Sequence, residues 1–200
     1  MKLTDHVEHI RQMIDTAFRN RLGRMGVTNT ALRPVDSIPA EYRGERKQIE
    51  TIREVLIAET GSVKDAYKKL VEEFTFTLFN RLAALKVMEA HTLHPEIVTR
   101  RSQHGDRSFA HKLWLEQNSD GRNQEMEGLV HFMSDQLEAL ATDIPLFSLQ
   151  HPYHLLPTAI ELNGIMNAFN QVETDAQVEV DIWKSDDVLG WLYESYNNEK

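Results

Sequence analysis

Residues 62–90, SVKDAYKKLVEEFTFTLFNRLAALKVMEA, decide the fold. Ala66, Tyr67, Leu70, Val71, Phe74, Leu78, Phe79, Leu82, Leu85 and Met88 recur at steps of three and four, which predicts one helix of about seven turns. Ser62-Val-Lys-Asp65 has the form of a capping box at its start, with Asp in the usual Glu position. The second half, FTFTLFNRLAALKVMEA, is apolar nearly all round. A helix that is apolar on most faces has to be surrounded by others. The expectation is therefore an all-α fold, a multi-helix bundle or array around a long central helix at about 62–90. In that setting Phe74, Phe76 and Phe79 read as core packing rather than a base-stacking platform.

Working outward, the preceding segment 41–59 is strongly charged and offers only a narrow apolar stripe of Ile49, Ile52, Val55 and Leu56 before Gly61. The first helix carries Val7, Ile10, Ile14, Ala17 and Phe18 behind a Thr4 cap and ends near Gly23 to Gly26. A polar connector with Pro34 and Pro39 joins the two. Beyond His94-Pro95 an insert at about 95–123 is less regular, with a short helix at 108–117 around Phe109, Leu113 and Trp114. Further helices follow at 124–141, 156–171 and from about Asp186. Residues 178–182, Val-Glu-Val-Asp-Ile, are the one alternating stretch, at most a minor strand. There is no internal repeat, and residues 1–200 read as a single helical domain.

The composition of the 200 residues is that of a soluble globular chain: 41% hydrophobic, 26% charged, with 9 Gly and 6 Pro, which excludes disordered and collagen-like classes. No run approaches the roughly 18 apolar residues of a spanning helix. The opening MKLTDHVEHIRQ lacks the apolar stretch of an export signal. Without cysteine there is no disulfide, thiolate metal site or cysteine nucleophile, which suits a cytoplasmic location.

Charge is divided unevenly along the chain. Residues 1–101 hold 17 Lys/Arg against 14 Asp/Glu, a balance of +3, and residues 102–200 hold 5 against 17, or −12. The densest basic stretch takes in Arg19, Arg21, Arg24, Arg33, Arg43, Arg46 and Lys47, and these are the candidate DNA-contact residues, with a solvated helix face as the alternative. Three His-x-x-His pairs, His6/His9, His91/His94 and His151/His154, have no convincing third ligand. Asp36 with the trio Glu45-Arg46-Lys47 mimics the carboxylate–lysine pattern of magnesium nucleases, but residues 44–50 read as an exposed helix rather than the rigid strands such a site needs. No G-x-S-x-G, P-loop or G-x-G occurs.

Three segments together resemble one family. The helix over TLFNRLAALKVME (77–89) resembles one near the N-terminus of the large adenine-specific DNA methyltransferases of BREX phage-defence systems (PglX-like enzymes) and of related restriction-modification methylases. IPLFSLQHPYHLLP (144–157) is similar to a second segment of that family, with His151 where an acidic residue is usual. DVLGWLYESYN (187–197) is similar to the signature that precedes the catalytic domain. Order and spacing agree from Phe74 to Asn197, and Arg81, Glu89, Asp187, Trp191 and Tyr196 are the matched positions.

The resemblance implies a parent enzyme that moves a methyl group from S-adenosylmethionine to adenine N6 of DNA, alongside other defence-system proteins. The family's chemistry resides in a glycine-containing cofactor loop and an Asn-Pro-Pro-Tyr motif that holds the flipped adenine. This chain has no Asn-Pro dipeptide. It is therefore expected to be the accessory N-terminal domain, ending where the methylase domain would begin, with no catalytic, cofactor-binding or metal-binding residue of its own. Trp183, Trp191, Tyr193 and Tyr196 are then candidates for the surface that the catalytic domain covers. The alternative is a self-contained helical interaction module, an inhibitor or assembly factor, using the acidic C-terminal half.

Overall fold

A computed structural model describes residues 1–197. Seven α-helices make up its body: α1 (Leu3–Arg24), α2 (Arg43–Thr60), α3 (Val63–Ala90), α4 (Phe109–Gln117), α5 (Leu129–Ala141), α6 (Ala159–Val172) and α7 (Val188–Asn197). No strand occurs among the described residues, and the fold is an all-α array. Among the described residues no helix is long and apolar enough to cross a membrane.

The periodicity of residues 62–90 materialises as α3, with Ser62 Oγ accepting the Asp65 N–H at 3.2 Å to cap it. Buried residues occur all round its second half, and the neighbours that cover them come from both ends of the chain. Phe74 stacks on Phe18 of α1 with ring centroids 5.0 Å apart, and Phe79 meets Phe169 of α6 at 5.4 Å and Tyr196 of α7 at 5.2 Å. On α2, Ile49 and Leu56 are buried, whereas Val55 faces solvent. A stripe that narrow leaves most of α2 on the surface.

Several boundaries differ from the expectation. At the start of α1 it is Asp5 that accepts the Lys2 N–H, at 2.9 Å, and Thr4 lies inside the first turn. α5 begins at Leu129 rather than 124, because Met126, Glu127 and Gly128 are all left-handed, with φ of 49°, 54° and 69°. The indole of Trp114 explains the detour. A Cβ on Gly121 or Gly128 would lie 2.5 or 2.9 Å from that ring, so the chain can pass it only at glycine. Residues 178–182 form no strand: the Val178 N–H bonds back to the Asp175 carbonyl, Asp181 has φ 57°, and a 3₁₀ turn follows over Ile182–Lys184. Their alternation reflects Val178 and Ile182 turning inward around an exposed Val180, with no neighbouring strand to pair.

Candidate nucleic-acid interface

The seven candidate cations divide into three groups. Arg19, Arg21 and Arg24 lie along the end of α1, and each faces a carboxylate. Arg19 Nε meets Asp15 Oδ1 at 2.5 Å, a bond that raises its pKa. Arg21 Nη2 reaches both oxygens of Glu45, at 3.1 and 2.9 Å, with its guanidinium over the Tyr42 ring. Arg24 meets Glu161 of α6 at 3.2 Å. Paired this way, the three present little net charge to a phosphate.

Arg46 leaves the set altogether. Its side chain is 1% exposed, Nη1 donates to the Met25 carbonyl, Nη2 donates to the Arg33 carbonyl at 2.6 Å, and Nε faces Glu50 at 2.8 Å. It clips the connector onto α2, and a guanidinium so enclosed has no face for DNA. The third group is what the clip presents. Arg33, Arg43 and Lys47 are exposed and, among the described residues, face no carboxylate within ion-pair distance. Arg43 is oriented by the carbonyls of Ile38 and Asp36, both at 3.3 Å. The surroundings are mixed, since residues 28–54 hold five cations and five carboxylates.

The aromatic candidates also split. Trp183 is 2% exposed, packed on Phe169 at 6.1 Å, with its Nε1 buried and unpartnered. Tyr196 is buried against Phe76 and Phe79, and burial lifts its pKa far above the usual phenol range. Both are core residues rather than covered surface. Trp191 and Tyr193 remain on the outside of α7, next to an exposed Leu189.

At least one member of each histidine pair is engaged by a neighbouring group. His6 is buried and bonded to Asp175 at 2.9 Å, His94 bonds the Pro95 carbonyl, and His151 Nδ1 accepts the Tyr153 N–H. Glu45 of the nuclease-like trio is taken by Arg21, and Asp36 sits apart in a 3₁₀ turn. Among the described residues no group of three or more His, Cys, Asp or Glu is placed to hold a metal ion.

Sequence reasoning read the second half of α3 as apolar packing and passed over a buried polar network. Arg81, lowered to about 10 by burial, donates from Nε to the Leu146 carbonyl and from Nη2 to that of Ser148, both at 2.8 Å. Glu89 accepts the N–H groups of Ile97, Val98 and Thr99 at 2.7, 2.5 and 3.1 Å. Lys86 Nζ, 1% exposed, reaches Thr99 Oγ1 at 2.6 Å and Glu173 at 3.0 Å. The signal was three charged residues, Arg81, Lys86 and Glu89, within a stretch otherwise apolar nearly all round. Comparison of the chain with models of known protein families, with curated proteins and with solved structures gave no match.

Proposed function

We propose that this chain is a helical accessory domain of an adenine-N6 DNA methyltransferase in a phage-defence or restriction-modification system. It contributes DNA or partner contacts in the cytoplasm, and a catalytic domain binds S-adenosylmethionine and performs methyl transfer. The observation that carries the reading is the meeting of the three family-like segments on one another. Arg81 of the first holds the Leu146 and Ser148 carbonyls of the second, and Tyr196 of the third packs on Phe76 and Phe79. Residues far apart in the chain that resemble one family therefore form one buried unit. Arg33, Arg43 and Lys47 are its phosphate-facing cations. Trp191 and Tyr193 are its face toward the catalytic domain.

The test has two arms. Host DNA should carry N6-methyladenine only when these 200 residues are joined to the remainder of a product several times larger than 23.1 kDa. The triple reversal Arg33→Glu/Arg43→Glu/Lys47→Glu should weaken duplex binding at every sequence and reduce the salt slope by about 3. Unchanged affinity at low salt removes the DNA assignment, and a lone 23.1 kDa product removes the methyltransferase. A second reading, a free-standing module for a basic partner protein, draws on the exposed Val180, Leu189, Trp191 and Tyr193 among Glu179, Asp181, Asp186, Asp187 and Glu194. It predicts salt-sensitive binding to that partner, lost in Trp191→Ala/Tyr193→Ala, with DNA affinity untouched.

A further inference from the structure

A cleft of about 280 Å³ opens between α4, α5, α6 and the loop before α4, lined among others by Arg100, Asp106, Arg107, His111, Glu127 and Asn163. Its two arginines are treated differently. Arg107 is neutralised, with Nε and Nη2 on the two oxygens of Glu127 at 2.5 and 2.6 Å and Nη1 near the carbonyls of His104 and Gly105. Arg100 makes one side-chain bond, from Nη1 to Asn167 Oδ1 at 2.9 Å. No carboxylate and no backbone carbonyl pairs with it among the described residues. Burial alone acts on its pKa, and lowers it. The other deeply placed guanidinia, Arg46 and Arg81, each saturate two backbone carbonyls.

A guanidinium has five N–H donors in a planar fork that matches an oxyanion. One that is partly dehydrated, lines a cleft and uses a single donor on a neutral amide is a cation awaiting its counter-charge. The wall opposite is held firmly. Left-handed Glu127 is fixed through its carboxylate by Arg107 and through its carbonyl by His111 Nε2 at 2.9 Å, so the cleft is formed in advance. Glu127 is already committed to Arg107, and Asp106 is solvated at the rim. The volume suits a phosphate group with a few waters and falls below that of sites enclosing a whole drug-sized ligand.

We propose that this cleft binds a phosphate oxyanion, with Arg100 as its anchoring cation and the Asn163 amide beside it. The phosphate belongs either to a nucleic-acid backbone or to a small phosphorylated compound. The site stands apart from the connector cations Arg33, Arg43 and Lys47, so it can exist whether or not those contact DNA.

The test uses the full chain, with inorganic phosphate as one probe and a short DNA duplex without terminal phosphates as the other, read by calorimetry and by thermal melting. Arg100→Gln removes the charge and leaves a shorter, neutral amide donor. Asn163→Asp places a carboxylate in the cleft, and Lys64→Gln at the exposed start of α3 is the control. Binding should fall about tenfold or more in Arg100→Gln and Asn163→Asp and stay unchanged in Lys64→Gln. Response to phosphate alone assigns a small phosphorylated compound. Loss of duplex binding with a salt slope reduced by about 1 assigns a nucleic-acid backbone. If neither probe binds the unaltered chain, or if both cleft variants, folded by circular dichroism, bind as it does, the proposal is overturned.

Discussion

Replacing Glu89 by Gln removes one negative charge from the chain and turns one acceptor into a donor, at a side chain 8% exposed. Oε1 accepts from the Ile97 and Val98 N–H groups, and Oε2 accepts from the N–H and hydroxyl of Thr99, at 3.1 and 2.8 Å. A glutamine that keeps its oxygen toward Ile97 turns its amide toward Thr99, donor against donor. The Thr99 hydroxyl, which already receives Lys86 Nζ at 2.6 Å, can accept the amide on its second lone pair, but the Thr99 N–H is still left facing a donor. Losing two charge-assisted bonds and stranding a buried N–H costs about 3 kcal/mol. With a urea dependence of about 2 kcal/mol per molar, the unfolding midpoint should fall by about 1.5 M. The melting temperature should drop by about 6–12 °C. Amide exchange should quicken at Ile97, Val98 and Thr99 while the middle of α3 stays protected. The control is Glu96→Gln, which breaks an exposed pair with Arg101 and should cost under about 1 kcal/mol. A Glu89→Gln midpoint within about 0.3 M of the parent's would refute the reasoning, since it would mean that the turn at 97–99 holds without its carboxylate.

Arg46→Ala should destabilise the chain by about 3 kcal/mol in urea, because the Met25 and Arg33 carbonyls and Glu50 lose their partner. Lys47→Ala next to it should stay within about 0.5 kcal/mol, and equal effects would contradict the clip. Burial holds the His111 pKa below its ordinary 6.5, with the ring stacked on Phe132 at 4.5 Å. The unfolded chain then binds more protons than the native one below 6.5, so this group makes stability fall as pH drops through 6.5 toward the lower native value. His151 shifts the same way, whereas Glu127 and Glu161, whose folded pKa values are lowered from 4.5, keep their contribution until pH falls below that value. Melting at pH 7.5 and 5.5 should show a shallower decline in His111→Asn, and identical slopes would refute the assignment.

The helices were legible wherever the physics is local. Ser62 caps α3 through an oxygen three residues from the N–H it satisfies, and the 3.6-residue repeat of α3 needs no knowledge of its neighbours. Arg46 was read as a DNA contact although the sequence held a sign of its burial, since it shares a helical stripe with the buried Ile49 and Leu56 at steps of three and seven. Pairing was not readable. Arg21 meets a carboxylate 24 residues away and Arg24 one 137 residues away, so a run that is basic in sequence is largely neutral in space. The cleft at Arg100 draws its walls from residues 100–163, and its only trace in the sequence is the doublet Arg100-Arg101. The left-handed turn at 126–128 depends on where the Trp114 ring lands, which no local pattern reports.

The buried charges of this fold serve its connectors more than its helices. An irregular segment leaves N–H and C=O groups without partners, and any that are buried have to find them elsewhere. Here long side chains on α2 and α3 supply them: Arg46 for the Met25 and Arg33 carbonyls, Arg81 for those of Leu146 and Ser148, and Glu89 for the N–H groups at 97–99. An apolar substitute at such a site would leave helix content intact and release the connector, so its damage would be visible in amide exchange before far-ultraviolet dichroism. Arg33, Arg43, Lys47 and Arg100 take no part in this fastening of buried connectors through paired charges and face no carboxylate among the described residues, which leaves them to meet an anion from outside the fold.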